Sequence, residues 1–352
     1  MCLIKQDSVE ESDYRRPSIS GLEPTRWGIL GSGNVAHDFA LNLQNMPDHR
    51  LVGVAARDQK KAEQFAEEHE AEKFYNSYED LLDDPEIEVV YIALLNVCHK
   101  QWVIRSLRAG KHVLCEKPMG MNAQEVQEMI EEAVAAKRFL MEGFWTKFFP
   151  AYRAVRNYIG KGGIGDVQMV QACFGKGALE SQRMDLSLGG GQMMAVGYYL
   201  PAIINSIFRR EQPIEIRANG VLDKNGADIS GSATFEYSDN RSAQILYSGT
   251  RHLPNHLIVV GTKGSVMVPD HLWSPTTVSL NPGKLDKFSL PSLSIKPGKM
   301  IYQHGEGMQY EIDHVRACLT KGYLESPVIP LVESYQIASI MDQMKQQMGL
   351  TN

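Results

Sequence analysis

The sequence is poor in the features that mark secreted, membrane and nucleic-acid-binding chains. Its five cysteines, Cys2, Cys98, Cys115, Cys173 and Cys318, are scattered. Without paired spacing they point to reduced thiols in a cytoplasmic protein rather than to a disulfide framework. No apolar run approaches the ~20 residues that a membrane-spanning helix needs. Lys5, Asp7 and the acidic residues Glu10, Glu11 and Asp13 argue against a secretory signal. Positive charge is not in excess: the formal charge is −6, which speaks against a nucleic-acid surface. Metal-ligand spacing is also missing. His252 and His256 are four residues apart, but Pro254 lies between them and argues against the helix that would place both on one face, so no metal is expected.

What is present suits an enzyme of two domains. The 352 residues, 43% hydrophobic and 22% charged, are enough for two cores. Residues 1–24 mix charges with Ser, Pro and Gly and offer no periodic apolar face, so a disordered tail is expected. Within it Arg15-Arg16-Pro17-Ser18 resembles a site for a basic-directed kinase, although a solvated tail contains such short matches by chance.

From Thr25 onward strands and helices alternate. Strands are expected at 26–31, 51–55, 88–94, 112–116 and 138–142. Between them lie helices at 34–46, after Asp58 as a cap, at 101–109 ending on Gly110, and after an Asn122/Glu125 capping box, the last burying Val126, Met129, Ile130, Ala133 and Val134. Repeated strand–helix–strand units with short loops imply a doubly wound parallel sheet of the Rossmann type over 25–147, in an α/β fold.

Gly31-Ser32-Gly33-Asn34-Val35-Ala36 fits Gly-x-Gly-x-x-Ala at the end of the first strand. Gly31 permits a tight turn, Gly33 lets backbone approach a pyrophosphate, Ala36 lets helix pack on strand, and the helix opening at Asn34 and Val35 offers amides to the anion. A purely structural turn is the competing reading. After the second strand comes Arg57-Asp58. An acid here would hold the ribose hydroxyls of NAD, whereas Arg57 can pair with the 2′-phosphate of NADP, and Asp58 has another use as a helix cap. NADP is therefore expected over NAD.

Together with this fingerprint, the Asn96-Val97-Cys98-His99 turn, the run from Ala109 through Val113-Leu114-Cys115-Glu116-Lys117-Pro118, and Gly261-Thr262-Lys263-Gly264 resemble the Gfo/Idh/MocA oxidoreductases from about Thr25 to the C-terminus. Residues 139–150, Phe174-Gly175-Lys176 and residues 325–334 are most similar to the dimeric dihydrodiol dehydrogenases, also described as NADP-dependent D-xylose dehydrogenases. The resemblance implies that Asn96, His99, Glu116 and Lys117 line the cofactor site and that Lys117 acts beside nicotinamide and substrate. A surface lysine in a loop is the alternative, made less persuasive by Pro118. Burial can lower a lysine pKa toward the working range.

The second half reads as a helix at 151–159 and then strands at 167–174, 214–221, 230–237, 242–248, 256–260 and 265–268. An α+β domain over 148–352 with an open, mostly antiparallel sheet is expected, and in the family the sheet's exposed face commonly forms a homodimer interface. Helices near 308–320 and 331–348 would pack back on the body of the protein.

The loop Gly190-Gly191-Gln192-Met193-Met194-Ala195-Val196-Gly197-Tyr198-Tyr199 departs from the family pattern Gly-Gly-x-x-x-Asp-x-Gly-x-Tyr/His. Tyr199 stands at the proton-donor position, with a buried aromatic core residue as the competing reading. Ala195 stands where an aspartate is expected. Trp145, Lys176, Arg183 and Gln192 are candidates on the substrate side, with Gln192 or Arg183 as the candidate to replace the aspartate in binding. Two functions follow. The first is an NADP-dependent oxidoreductase acting on a secondary alcohol of a trans-dihydrodiol or pentose, with Lys117 and Tyr199 sharing the acid and base work. The second is an NADP-binding structural or sensor protein whose catalysis is impaired.

Overall fold

The computed structural model describes residues 22–177, 184–281, 283–294 and 299–350. The expected tail up to residue 21, its Arg15 to Ser18 motif and Arg183 lie outside these. Two compact units divide the chain. One comprises residues up to Met119 with Glu125–Phe148 and Leu290–Leu331, and the other Gly120–Gln124, Phe149–Ser289 and Val332–Asn352.

The first unit opens with β1 (Thr25–Leu30), α1 (Asn34–Gln44), β2 (His49–Ala55), α2 (Gln59–Glu68), β3 (Lys73–Tyr75), α3 (Tyr78–Asp83), β4 (Val89–Ile92), α4 (His99–Arg108), β5 (His112–Glu116), α5 (Ala123–Ala136) and β6 (Leu140–Gly143). The six strands form one parallel sheet in the order β3-β2-β1-β4-β5-β6. β4 and β6 are buried throughout, as continuous apolar strands in a covered parallel sheet must be. The strand order reverses between β1 and β4, which places a topological switch point at the ends of those two strands.

Local chemistry sets the helix boundaries. The Asp58 carboxylate accepts from the amides of Lys60 at 3.0 Å and Lys61 at 3.3 Å, a cap worth about 1 kcal/mol. Gly110 ends α4 in the left-handed region at φ +77°. Behind β1, Trp27 meets Phe39 edge-on at 5.3 Å, and Phe39 stacks on Tyr91 at 3.7 Å. One expectation fails in α5. Val126, Met129 and Ala133 are buried, but Ile130 is only half-buried and Val134 is 67% exposed. A helix on a sheet buries a narrow stripe, and Val134, ~100° around the helix from Ala133, falls outside it.

The second unit contains α6 (Pro150–Gly160), β7 (Val167–Gly175), a π-helical turn (Met193–Gly197), α7 (Tyr199–Ile207), β8 (Glu215–Leu222), β9 (Asp228–Glu236), β10 (Ser242–Ser248), β11 (Leu257–Gly261), β12 (Gly264–Val268), β13 (Thr277–Asn281) and β14 (Lys284–Lys287). The strands form a sheet in the order β14-β13-β12-β11-β7-β10-β9-β8. Every pairing is antiparallel except β7 with β10. In that pair Val170 faces Ala243, Ala172 faces Ile245 and Phe174 faces Tyr247, all buried on one face. Met169, Leu246 and Met267 on the other face are exposed. The chain then supplies α8 (Met308–Thr320) to the first unit and α9 (Leu331–Gln347) almost wholly to the second. No helix among the described residues is long and apolar enough to cross a membrane.

Candidate active site

The first unit presents its chemistry along the edge where β1, β2, β4 and β5 end. After β1, Gly31 adopts φ +109° and donates its amide to the Ala55 carbonyl at 2.9 Å. A Cβ at Gly31 would lie 2.4 Å from the Ala93 carbonyl oxygen, so glycine is required twice over, by conformation and by close approach. At Gly33, by contrast, a Cβ would meet nothing within 4 Å. Gly33 also opens α1 with no side-chain cap and no acid in the first turn. Open space above uncapped amides at the positive end of a helix is a cradle for an anion such as a pyrophosphate. Asn34 and Val35 form that first turn, and Ala36 is fully buried.

At the end of β2 Arg57 is exposed while the neighbouring Asp58 is committed to capping α2. The guanidinium is thus the group this position offers to a ligand. After β4, Asn96 opens a short 3-10 turn, Asn96–Cys98. His99 is fully buried, with Nδ1 2.8 Å from the Pro118 carbonyl oxygen and Nε2 3.1 Å from that of Leu94. It therefore ties the turn after β4 to the turn after β5, and acts on the edge by bracing it. Burial lowers its pKa, and the two carbonyl contacts oppose that shift.

Lys117 follows β5 directly and is half-buried. Its peptide bond to Pro118 is cis. The neighbouring Glu116 is one of three interacting carboxyl groups, two of which the sequence did not single out. Glu116 accepts from the Tyr91 hydroxyl at 2.7 Å. Glu142, 1% exposed in β6, accepts from the Met119 amide at 2.8 Å. Glu311, 1% exposed in α8, is held well above the ordinary carboxylate pKa by burial and then by the charges of Glu116 and Glu142. Burial also raises Glu116, while the Tyr91 hydrogen bond and the Lys117 charge pull it down. Like charges in a dry site resist joint ionisation, which favours the protonated forms of Glu116 and Glu311. The available signals were an acid inside an apolar strand at Glu142 and an acid on the buried side of a helix at Glu311. Trp145, 6% exposed, lies just beyond β6 in the 3-10 turn Trp145–Phe148.

The second unit gathers the other candidates in one loop. Gly191 has φ +113°, and its missing Cβ leaves room for the Asp228 carboxylate, whose Oδ1 would lie 2.3 Å away. Asp228, 2% exposed, accepts from the Met193 amide at 2.7 Å and the Tyr247 hydroxyl at 2.8 Å. A buried aspartate thus serves this loop from β9, propping its backbone, and Ala195 is half-buried in the π-helical turn above. Such turns are frequent at functional sites. Gln192 is 3% exposed and donates its side-chain amide to the Met184 sulfur at 3.2 Å. Lys176 follows β7 and forms an isolated bridge with His252. Tyr199 starts α7 at 8% exposure, its ring edge-on to Phe174 at 5.5 Å. Lys117 and Tyr199 belong to different units.

The chain is similar to known proteins over nearly its whole length. Residues 25–144 match the model of an oxidoreductase family with an NAD-binding Rossmann fold, and residues 152–267 match a GFO/IDH/MocA C-terminal domain. A trans-1,2-dihydrobenzene-1,2-diol dehydrogenase of Xenopus tropicalis is 41% identical over 330 residues, covering 93% of this chain and 99% of that one. The human protein of the same name is 39% identical over 329 residues, covering 93% and 97%. Among solved structures, a 3-ketoreductase from Actinomadura kijaniata, crystallised with NADP and TDP-benzene, superposes with a TM-score of 0.78 at 21% identity, covering 93% of this chain and 98% of that one.

Proposed function

Because the chain belongs to the Gfo/Idh/MocA oxidoreductase family, we propose that it is an NADP-dependent dehydrogenase that oxidises a secondary alcohol of a trans-dihydrodiol or of a pentose such as D-xylose. The observation that carries this reading is Lys117, placed directly beyond β5 on the sheet edge that also bears the Gly31 turn. Curated relatives across nearly the whole chain carry the dihydrodiol dehydrogenase name, which supports the substrate class.

The residues fit the cofactor. The amides at Asn34, Val35 and Ala36 would receive the pyrophosphate, and Asn96, His99, Glu116 and Lys117 would line or brace the nicotinamide end. Arg57 would pair with the 2′-phosphate, which favours NADP over NAD. A bound nicotinamide supplies the hydride acceptor for carbinol oxidation. In this account Lys117 polarises the hydroxyl oxygen and Tyr199 exchanges the hydroxyl proton as the carbonyl forms. The carboxyl cluster of Glu116, Glu142 and Glu311 sets the electrostatic surroundings of the lysine. Trp145, Lys176, Arg183 and Gln192 are assigned to the substrate side.

The exposed apolar side chains Met169, Leu246 and Met267 on the open face of the second sheet support a homodimer through that face. Cys98, Cys115, Cys173 and Cys318 are free thiols, in keeping with a cytoplasmic enzyme.

Ala195 favours a second reading, an NADP-binding protein with impaired turnover. Steady-state oxidation of trans-1,2-dihydrobenzene-1,2-diol and D-xylose with each cofactor tests both. The proposal expects turnover with a higher kcat/KM for NADP; a preference for NAD overturns the cofactor assignment, and cofactor binding without turnover selects the second reading.

A further inference from the structure

The first unit holds a second group of chemistry-bearing side chains, between the helices that follow β1 and β2. His69, the residue that closes α2, is fully buried. Its ring packs against Phe65 at 4.2 Å and edge-on to His37 at 4.7 Å. Neither of its ring nitrogens has a hydrogen-bond partner. Burying an imidazole in this way forfeits the solvation of two polar atoms, at about 1–3 kcal/mol for each.

His37 lies in the first turns of α1 and points Nε2 at the Lys299 carbonyl oxygen, 3.1 Å away. A carbonyl only accepts, so Nε2 carries the hydrogen and Nδ1 presents either a lone pair or a second proton. Facing Nδ1 at 3.5 Å is an oxygen of Glu68, a pairing that requires a proton or a cation between the two. A proton on His37 satisfies that contact but does nothing for His69. A metal ion would engage one ligand atom from each of the three side chains, including one nitrogen of His69. One ligand atom from each of His37, Glu68 and His69 lies within 4.8 Å of the others. A tetrahedral site with bonds of about 2.0–2.1 Å needs ligand atoms roughly 3.3 Å apart. The Glu68 side chain, 55% exposed, gives an ion a way in.

We propose that His37, Glu68 and His69 form a binding site for a divalent transition-metal ion of the zinc class, with solvent as the fourth ligand. Two imidazoles and one carboxylate select zinc, cobalt, nickel or copper over magnesium and calcium, which take oxygen ligands. The Lys299 carbonyl acts as the outer partner that fixes the His37 tautomer. A bound ion would cross-link α1 and α2, the helices that follow the Gly33 turn and Arg57. No local sequence motif announces this site, because the ligands come from two helices.

The test is calorimetric titration of tag-free, metal-stripped full-length protein with zinc chloride, repeated with cobalt chloride followed by visible absorption. The proposal predicts one ion per chain, unaffected by excess magnesium, and a loss of affinity of about tenfold or more in both His69→Phe and Glu68→Gln. Glu68→Gln changes an exposed side chain and decides the matter if His69→Phe does not fold. Absence of zinc binding by the wild type, or equal binding by the wild type and Glu68→Gln, overturns the proposal.

Discussion

Gly31 and Gly191 hold nearly the same backbone conformation, φ +109° and +113°, and in each a Cβ would run into an oxygen. The oxygens differ. At Gly31 it is the backbone carbonyl of Ala93, at Gly191 the side-chain carboxylate of Asp228. The cofactor turn is therefore fixed by main chain, which every sequence of this fold supplies. The tyrosine loop rests on one buried side chain and changes whenever its supporting residues change. The Gly-x-Gly-x-x-Ala and Glu-Lys-Pro segments match the family pattern, while the loop after Gly191 carries Ala195 where the pattern has aspartate.

Five substitutions probe that contrast, in falling order of effect. Gly31→Ala should lose cofactor binding and lower the unfolding midpoint, with about 1–3 kcal/mol from backbone strain before the clash with Ala93 is counted. Gly33→Ala, which meets open space, should keep the midpoint and weaken only cofactor affinity. Equal behaviour of the two in thermal melts and fluorescence titrations would remove the argument for a main-chain-fixed turn. Asp228→Ala leaves the Met193 amide and the Tyr247 hydroxyl without their acceptor, at about 1–3 kcal/mol for each buried donor. It should raise KM for the diol while leaving the dissociation constant for NADPH unchanged; a matching loss of cofactor affinity would show that the loop is not an independent element.

Arg57→Ala should raise KM for NADP by roughly 10–100-fold, as expected for loss of a charge-assisted contact worth about 1.5–3 kcal/mol, with KM for NAD unmoved. Glu311→Gln should have the smallest effect, and on stability. The folded protein holds the Glu311 proton well above the ordinary value of 4.5, whereas the unfolded chain releases it there. The stability contribution is complete below that value and is lost as pH rises toward the folded pKa. The variant should therefore melt higher than the wild type at pH 7.5, by about 2–4 °C for each kcal/mol relieved, with the gain vanishing near pH 4. A uniform shift at both pH values would mean that ionisation is not the cause.

How far the sequence foretold these regions follows the same division. Strands with continuous or alternating apolar patterns were legible to the residue, as for His112–Glu116 and Ser242–Ser248, and so was α8 at Met308–Thr320. Lys73–Tyr75 and Tyr78–Asp83 were not, since three to six residues carry too little periodicity. The helix Tyr199–Ile207 was hidden by its uniform burial, which erases the 3.6-residue contrast. Gly31, Arg57 and Lys117 could be named as candidates because they stand in local motifs. Glu142, Glu311, Asp228 and the His37, Glu68 and His69 group were not, because their meaning lies in partners brought from distant segments.

The central claim is that Lys117 works on the substrate beside a cofactor held by the glycine turn. It is tested most directly by comparing wild type and Lys117→Ala for NADPH binding by tryptophan fluorescence and for NADP reduction with trans-1,2-dihydrobenzene-1,2-diol. The account predicts similar NADPH affinity in both proteins and a kcat lower by about 10²–10⁴-fold in the variant. Unchanged turnover in Lys117→Ala would contradict it.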